Sequence, residues 1–293
     1  MITGKGRKKQ AVDLGEDSWS LEIRPQESFF RLHLREFWDY RELIFLFVKR
    51  DFKTMYKQTI LGPLWILLSP LLTAGIFTVV FGRIAGVSTD GVPDYLFYMG
   101  GSVLWTYFSS CLLSASNTFT GNAGLFGKVY FPRLIMPVSA AISKLIIFFV
   151  QFFLFLVLTL RLLPSGDVRI NCWCLATPFL LLQLAFLAMG MGLILASMTA
   201  KYRDLQVLVS FGVQLWMYAT PIVYPLSEIP DSWRWIALCN PVAPTVECFR
   251  YGWLGKGSVS LVHLTFAAGV TMIIFLLGLL LFNHTQRNFT DTI

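Results

Sequence analysis

Residues 134–160 read LIMPVSAAISKLIIFFVQFFLFLVLTL, a stretch whose one ionisable side chain is Lys144. The hydrocarbon core of a bilayer is about 30 Å thick and a helix rises about 1.5 Å per residue, so about 20 apolar residues cross it. Comparable apolar runs elsewhere in the chain occupy residues 61–81, 95–116, 172–198, 205–224 and 261–282. We therefore predict a polytopic membrane protein with six transmembrane helices.

The composition of the 293-residue chain is typical of a membrane protein, because 55% of its residues are hydrophobic and only 14% are charged. Backbone N–H and C=O groups inside lipid must be hydrogen-bonded within the protein, so runs of this length form helices. The alternation over about ten residues that marks the strands of an outer-membrane barrel is missing. The expected fold class is all-α.

Basic residues are concentrated before the first run, where twelve of the 24 Lys and Arg residues lie. Six spans place both termini on the same side of the membrane, and the excess of Lys and Arg places that side in the cytosol. We interpret the net charge of +7 as a topology signal. Nucleic-acid binding is not expected, because no recognition motif accompanies the basic residues.

The segment before the first run divides into two parts. Residues 1–28 are polar and mixed in charge, which predicts a poorly ordered cytosolic leader. Residues 29–60 carry apolar side chains at helical spacing between cations, and we expect an amphipathic helix along the cytosolic interface, followed by a turn at Gly62. An ordinary soluble helix packed on a partner fits the same pattern. The six-helix domain extends over residues 61–283, and residues 284–293 form a cytosolic tail.

Residues 121–133, between the second and third runs, read GNAGLFGKVYFPR. A phosphate-binding P-loop has four residues between its glycines and Ser or Thr after its lysine. Here five residues separate Gly121 from Gly127 and Val129 follows the lysine, so no nucleotide site is predicted. We expect instead a short cytosolic helix that exposes apolar side chains beside two cations and docks on a partner. The residues concerned are Leu125, Phe126, Lys128, Val129, Phe131 and Arg133.

The turn after the fourth run is short and charged. It consists of Lys201, Tyr202, Arg203 and Asp204. This pattern predicts a tight cytosolic hairpin in which Asp204 caps the next helix by accepting hydrogen bonds from its free N–H groups. A merely solvated turn fits the pattern equally well.

Residues 226–255, between the fifth and sixth runs, are rich in aromatic side chains and proline but contain no run of span length. We expect two short helices that are broken at Asn240 and Pro241 and dip into the outer leaflet. Glu247 and Arg250 lie one helical turn apart, a spacing that suits an ion pair. This segment is the predicted outer gate.

Other classes of function lack the residues that they need. A transporter driven by an ion gradient needs acidic side chains at mid-membrane, and the six runs contain no Asp or Glu. A membrane enzyme needs a cluster of His, Asp or Glu at one depth, whereas the three histidines are scattered. The five cysteines lack the spacing of a zinc site, so no metal is expected, and pairing of the outer cysteines is left open. Lys144 carries a charge within the third run, which is a functional hypothesis without a named partner.

The order of these motifs resembles that of the ABC type-2 permeases, and among them the exporters of O-antigen, capsule and wall teichoic acid. The resemblance extends over about residues 35–285. The segments that carry it are RDFK at 50–53, LGPLW at 61–65, FPR at 131–133, KYRD at 201–204, PIVY at 221–224 and NP at 240–241.

The resemblance implies a bacterial inner-membrane protein that forms a homodimer and joins two copies of a separate ABC ATPase. ATP and Mg would bind to that partner, and this chain would hold no cofactor. Residues 121–133 would be the coupling helix. Leu61 and Gly62 would form a second contact with the ATPase and a lateral approach for lipid, and residues 226–255 would be a re-entrant gate.

For such a protein we expect transport of a polyprenyl-diphosphate-linked glycan, with O-antigen preferred over capsule or teichoic acid. Arg50, Lys53 and Lys57 would attract the diphosphate at the cytosolic interface, or would only fix the topology. Closure of the ATPase would act through the coupling helix. Aromatic side chains would line a channel along which sugars slide, although packing against lipid or a place in the interfacial belts explains them as well. These side chains are Trp105, Phe108, Trp216 and Tyr218.

Overall fold

The computed structural model describes residues 40–57, 61–129 and 131–289 of the chain. All regular secondary structure in these ranges is helical, and five of the helices are long and apolar enough to cross a membrane. They extend over Leu64–Ile84, Asp94–Ser116, Ile135–Ser165, Cys172–Thr199 and Leu261–Gln286. The predicted all-α polytopic fold is confirmed.

We number the α-helices in chain order. They are α1 (Arg41–Tyr56), α2 (Leu64–Phe77), α3 (Asp94–Ser116), α4 (Thr118–Gly121), α5 (Ala123–Phe126), α6 (Ile135–Leu162), α7 (Thr177–Thr199), α8 (Leu205–Ala219), α9 (Asp231–Cys239), α10 (Val242–Leu254) and α11 (Leu261–Phe289). A π-helical segment over Thr78–Ile84 continues α2, and short 3₁₀ segments cover Leu163–Ser165, Cys172–Ala176 and Leu226–Glu228.

Helix α3 is the central element of the fold. Of the 18 most apolar consecutive residues in this span, 78% are buried, whereas the same fraction for the span Leu64–Ile84 is 17%. Helices α2, α6, α7, α8 and α10 all contact it. Small residues at Gly100 and Gly101 allow this crowding, since a Cβ at Gly101 would lie 2.7 Å from a guanidinium nitrogen of Arg250. Any displacement of α3 is therefore felt by most of the other helices.

Helices α7 and α11 pack with their backbones in contact where two glycines meet. A Cβ at Gly190 would lie 2.6 Å from the Cα of Phe275, and a Cβ at Gly278 would overlap the carbonyl oxygen of Gly190. Within lipid, helix association depends on such close packing, because the tails solvate apolar side chains as well as a neighbouring helix does. The two glycines therefore hold the last span against α7.

Helix α8 is shorter than the apolar run at 205–224 that contains it. It ends at Ala219 after 15 residues, a rise of about 22 Å, which is less than the thickness of the hydrocarbon core. Thr220 has an extended backbone (φ −101°, ψ 141°), because the residue before a proline disfavours the helical conformation and Pro221 follows. Val213 is the one side chain of α8 that the described chain buries. Five further residues of this helix are half-buried, and the other nine are exposed.

The helix termini fall into two groups. At one end, which we call the α1 end, Thr199 donates a hydrogen bond to the carbonyl of Ser116 (2.9 Å) and joins the end of α7 to the end of α3. At the other, which we call the α10 end, the N–H of Asn171 bonds to the carbonyl of Gly252 (2.8 Å). The α1 end is the side that the sequence predicts to be cytosolic.

Helix α1 packs on α6 through one face only. Phe47 and Val48 are buried, whereas Phe45 and Leu46 are exposed. This two-sided character fits the predicted amphipathic helix, and its position along the membrane interface stays a prediction. The remainder of that helix up to residue 39, the leader at 1–28 and the last four residues of the tail lie outside the described residues.

Candidate functional site

The segment between α3 and α6 contains the predicted coupling helix, which is two short helices, α4 and α5, followed by irregular chain. Phe119 of α4 is fully buried and stacks on Phe282 of α11, with the ring centroids 4.7 Å apart. Phe126 of α5 lies between Phe119 and Phe131, at 6.3 Å and 5.6 Å from their rings. A row of aromatic rings thus packs this segment against the ends of α6 and α11.

Fewer apolar side chains of this segment are exposed than the sequence predicted. Lys128 and Val129 are exposed, and Val129 keeps 54% of its surface, while Leu125 and Phe126 are half-buried. The expectation that Phe131 is exposed is wrong, because the ring of Phe47 in α1 lies 5.6 Å away and covers it. An approaching partner therefore meets Lys128 and Val129 first. The coupling role of these residues stays a prediction.

Arg133 is buried and connects two helices. Its guanidinium donates a hydrogen bond to the carbonyl of Gln286 in α11 (2.8 Å) and lies 5.3 Å from the centroid of the Phe126 ring. It therefore connects Phe126 to the start of α6 and the end of α11 from inside the protein.

The turn before α2 has the predicted geometry. Gly62 has φ = +47°, a conformation that glycine adopts without a Cβ penalty, and the N–H of Leu64 bonds to the carbonyl of Leu61 (3.0 Å). Leu61 is exposed, so this turn is free to meet a partner or lipid.

The three cations predicted to attract a lipid diphosphate, two in α1 and one directly after it, are exposed. Arg50, Lys53 and Lys57 are exposed, and Arg50 pairs with Asp51 at 2.8 Å. Arg50 also lies 4.7 Å from the centroid of the Phe47 ring. Lys53 and Lys57 thus remain at the surface, where an anionic head group would meet them first.

The charged turn between α7 and α8 is exposed from Lys201 to Asp204. Asp204 occupies the N-cap position of α8, but its side chain makes no capping hydrogen bond, so the predicted cap is wrong. The reason is its backbone (φ −64°, ψ −25°), which is already helical, whereas a capping residue needs an extended one. Lys201 instead lies 5.3 Å from the centroid of the Tyr202 ring.

Three of the four candidate channel aromatics form one cluster. The ring of Trp216 in α8 lies 5.9 Å from Trp105 and 5.1 Å from Phe108, both of α3. Trp105 and Phe108 are buried inside the protein, which neither a channel lining nor packing against lipid predicts, while Tyr218 is exposed on α8. The cluster holds the last turn of α8 against α3, and the lining of a channel by Trp216 and Tyr218 stays a prediction.

The outer helices break at the predicted place and bind the end of α8. α9 ends at Cys239 and α10 begins at Val242. The amide of Asn240 donates to the hydroxyl of Thr220 (2.8 Å) and its oxygen accepts the N–H of Val242 (3.1 Å). The break is therefore also an attachment point for the extended segment that follows α8.

Arg250 makes the second attachment, which the sequence did not predict. Its guanidinium donates to the carbonyls of Pro221 (2.8 Å) and Ile222 (2.6 Å) and lies 3.7 Å from the centroid of the Phe97 ring. These carbonyls lack helical partners because α8 has ended. Arg250 supplies the hydrogen bonds that a continued helix would have supplied.

Glu247 and Arg250 pair as their spacing predicts, at 3.5 Å, and both are buried. Burial raises the pKa of the Glu247 carboxyl, and burial lowers the pKa of Arg250 to about 10, while each charge opposes the shift of the other. Each group thus depends on its partner to stay charged.

The start of α8 is also attached by hydrogen bonds. The side-chain amide of Gln206 donates to the carboxamide oxygen of Asn117 and to the hydroxyl of Thr120 in α4 (2.9 Å). The residues involved are nearly 90 positions apart, so the sequence carried no signal for this contact. Helix α8 is therefore linked to the coupling segment at one end and to the outer helices at the other.

Comparison with known proteins shows which family the sequence is similar to. The sequence profile of ABC-2 type transporters matches residues 42–254. The O-antigen export system permease protein RfbA of Klebsiella pneumoniae is 28% identical over 85% of this chain and 94% of its own length. RfbA of Myxococcus xanthus is 32% identical over 74% of this chain and 82% of its own. The polysialic acid transport protein KpsM of Escherichia coli is 25% identical over 84% and 93%.

Proposed function

The chain belongs to the ABC-2 type transporter family, and from this membership we propose that it is the permease subunit of an ATP-driven polysaccharide exporter. Its cargo would be a polyprenyl-diphosphate-linked glycan that leaves the cytosol across the bacterial inner membrane. The names of its relatives, which are O-antigen and polysialic acid transport proteins, support a polysaccharide as the cargo. O-antigen is preferred because the RfbA permeases are 28% and 32% identical, while KpsM, at 25%, keeps capsule as the alternative.

The energy would come from two copies of a separate ABC ATPase that binds ATP and Mg. The exposed Lys128 and Val129 would dock on it, and the turn at Leu61 and Gly62 would make the second contact. The packing of the predicted coupling segment, residues 121–133, supports this assignment. Because Phe119 and Phe126 pack on helix ends, a force on the segment reaches the spans directly.

The observation that carries the proposal is the double attachment of α8. Gln206 ties its inner end to α4, whereas Arg250 and Asn240 tie the segment beyond its outer end to α10. Between these points Val213 is buried and Trp216 packs on Trp105 and Phe108, while nine of the 15 residues of α8 are exposed, so the described chain restrains the helix on one side only. We propose that α8 transmits movement from the ATPase contact to the outer gate.

A second copy of the chain would complete the path for the glycan. The uncovered side of α8 carries Val207, Leu208, Phe211, Leu215 and Tyr218, which are exposed by 44–74%. A 15-residue helix is too short to match the bilayer core, which favours protein rather than lipid beside it. The glycan would pass between two such helices, with aromatic rings such as that of Tyr218 against the sugars.

Affinity purification from native membranes tests the subunit composition. We expect an ABC ATPase to co-purify with the tagged chain in a 1:1 ratio, in a particle of two copies of each. ATP-independent counterflow of a solute by the chain alone in vesicles would contradict the proposal, because a gradient-driven transporter needs no such partner.

A further inference from the structure

A cavity of about 370 Å³ lies between α1, α3 and α6 near the α1 end. Asp51, Thr54 and Met55 of α1, Ser114 of α3, and Ser143 and Lys144 of α6 contribute to its lining. Its volume falls within the range of about 300–1,000 Å³ that small-molecule sites occupy. The cavity joins an amphipathic helix to two membrane spans, and none of the roles described so far uses it.

Lys144 is the unexplained charge of this cavity. Within residues 40–57, 61–129 and 131–289, its ammonium group has neither a hydrogen bond nor an ion pair. It lies nine residues into α6, about 14 Å along the helix axis. An ammonium within a membrane span is costly unless a counter-ion or water meets it.

Asp51 is the one acidic group in the lining, and its carboxylate is already engaged. Arg50 donates to Oδ1 from Nη2 and Nε, at 2.8 Å and 3.1 Å, and the hydroxyl of Ser143 donates to Oδ2 at 3.4 Å. The charge of Asp51 is thus balanced by Arg50 on the same helix. Lys144 leaves the cavity with one net positive charge, while the hydroxyls of Thr54 and Ser143 already donate to the carbonyls of Arg50 and Ser139.

We propose that this cavity binds the phosphate or diphosphate head of a lipid, with Lys144 as the cation that holds it. Basic pockets between membrane spans at the cytosolic side recognise lipid head groups, since the acyl or prenyl chain stays in the bilayer while the anion meets the protein. Lys53 and Lys57 at the surface would attract the head group first, and Lys144 would hold it deeper. That the lipid is the polyprenyl carrier rests on the proposed function.

Binding of tritiated farnesyl diphosphate to the permease–ATPase complex in phosphatidylcholine nanodiscs tests the site. We expect Lys144→Met to weaken binding about tenfold or more, because a charge-assisted contact is lost, and Lys144→Arg to retain most of it. Lys49→Met removes an exposed cation of α1 outside the cavity and is expected to bind like the wild type. The melting temperature of each variant shows that the protein is folded.

Two further ligands and one further variant separate the alternatives. Farnesol, which lacks the anion, should not compete, and inorganic pyrophosphate should compete only weakly because it lacks the prenyl chain. Equal affinity for pyrophosphate would overturn the lipid assignment. Asp51→Asn should bind as well as the wild type or better. If it instead weakens binding as Lys144→Met does, the two residues are a structural pair and the site is overturned.

Unchanged binding by Lys144→Met would also overturn the site. Measurement of polysaccharide export by the same preparations distinguishes a failure of the lipid site from a failure of the proposed export function. Full export by the Lys144→Met complex removes the site and leaves the function intact. Loss of binding in that variant, together with a wild-type complex that exports no polysaccharide, removes the function and leaves a lipid-phosphate site.

Discussion

Arg250 and Ile222 are joined by a hydrogen bond of 2.6 Å between a buried guanidinium and a carbonyl that follows the end of a helix. The bond spans 28 positions of sequence and connects the outer helices to α8. Since Gly101 leaves room for the same guanidinium beside α3, three elements meet at one side chain. This junction is where a displacement of α8 would reach the predicted gate.

Replacement of Arg250 by Gln should destabilise the protein strongly. It leaves the Glu247 carboxylate buried without its counter-ion, a change that costs about 3–5 kcal/mol in buried pairs. The melting temperature in detergent measures the loss. Arg234→Gln is the matched control, because Arg234 pairs with Asp231 at the same sequence spacing but in an exposed position, and it should have no measurable effect. Equal melting temperatures for the two variants would contradict the structural role of Arg250.

Val129→Asp should release the ATPase without unfolding the permease. The side chain is exposed, so the charge costs little in the isolated chain but is buried at a docked interface. Co-purification of the ATPase measures the effect, and we expect at least a tenfold loss. Ser88→Asp places the same charge on an exposed side chain beyond the opposite end of the spans and should retain the ATPase. Retention by Val129→Asp would show that the partner docks elsewhere.

Gln206→Ala should uncouple ATP hydrolysis from export. The variant removes the hydrogen bonds to Asn117 and Thr120 but leaves the docking surface intact, so the ATPase should stay bound while export falls several-fold. Export per ATP hydrolysed is the quantity to measure. Ser210→Ala, which removes only a bond within α8, is the control. Adding Thr120→Val to Gln206→Ala should lower export per ATP little further. Fully additive losses in the double variant would argue against a hydrogen-bonded link between the two residues.

Gly278→Leu should prevent α11 from packing on α7. The added side chain meets the backbone of Gly190, which cannot move aside as a side chain can, so the cost is at the upper end of the about 1–3 kcal/mol typical of overpacking. Gly269→Leu lies on the same helix with open space around its Cβ and should be neutral. Thermal unfolding of both variants makes the comparison, and similar melting temperatures would contradict this packing.

Local patterns in the sequence predicted what local physics determines. The apolar runs predicted the spans, and Asn240 and Pro241 predicted the break between α9 and α10. The spacing of Glu247 and Arg250 predicted their ion pair. Pro221 also marked the end of α8, although the apolar residues after it concealed that end within a longer run.

Contacts between distant segments could not be predicted in this way. The burial of Phe131 depends on Phe47, which lies 84 positions earlier, and nothing in the local pattern distinguishes it from the exposed Val129. The same limit hid the bond from Gln206 to Thr120. Asp204 failed as a cap for a different reason, since the type of residue was suitable but its backbone conformation was not.

ATP-dependent transport in inside-out vesicles tests the central claim most directly. Vesicles that contain the permease and its ATPase would be supplied with labelled lipid-linked polysaccharide on their outer face, and the label reaching the lumen would be measured. We predict accumulation that requires ATP and stops when the ATPase carries a hydrolysis-deficient mutation. Accumulation by the permease alone, or none with the complete complex and ATP, would contradict the account.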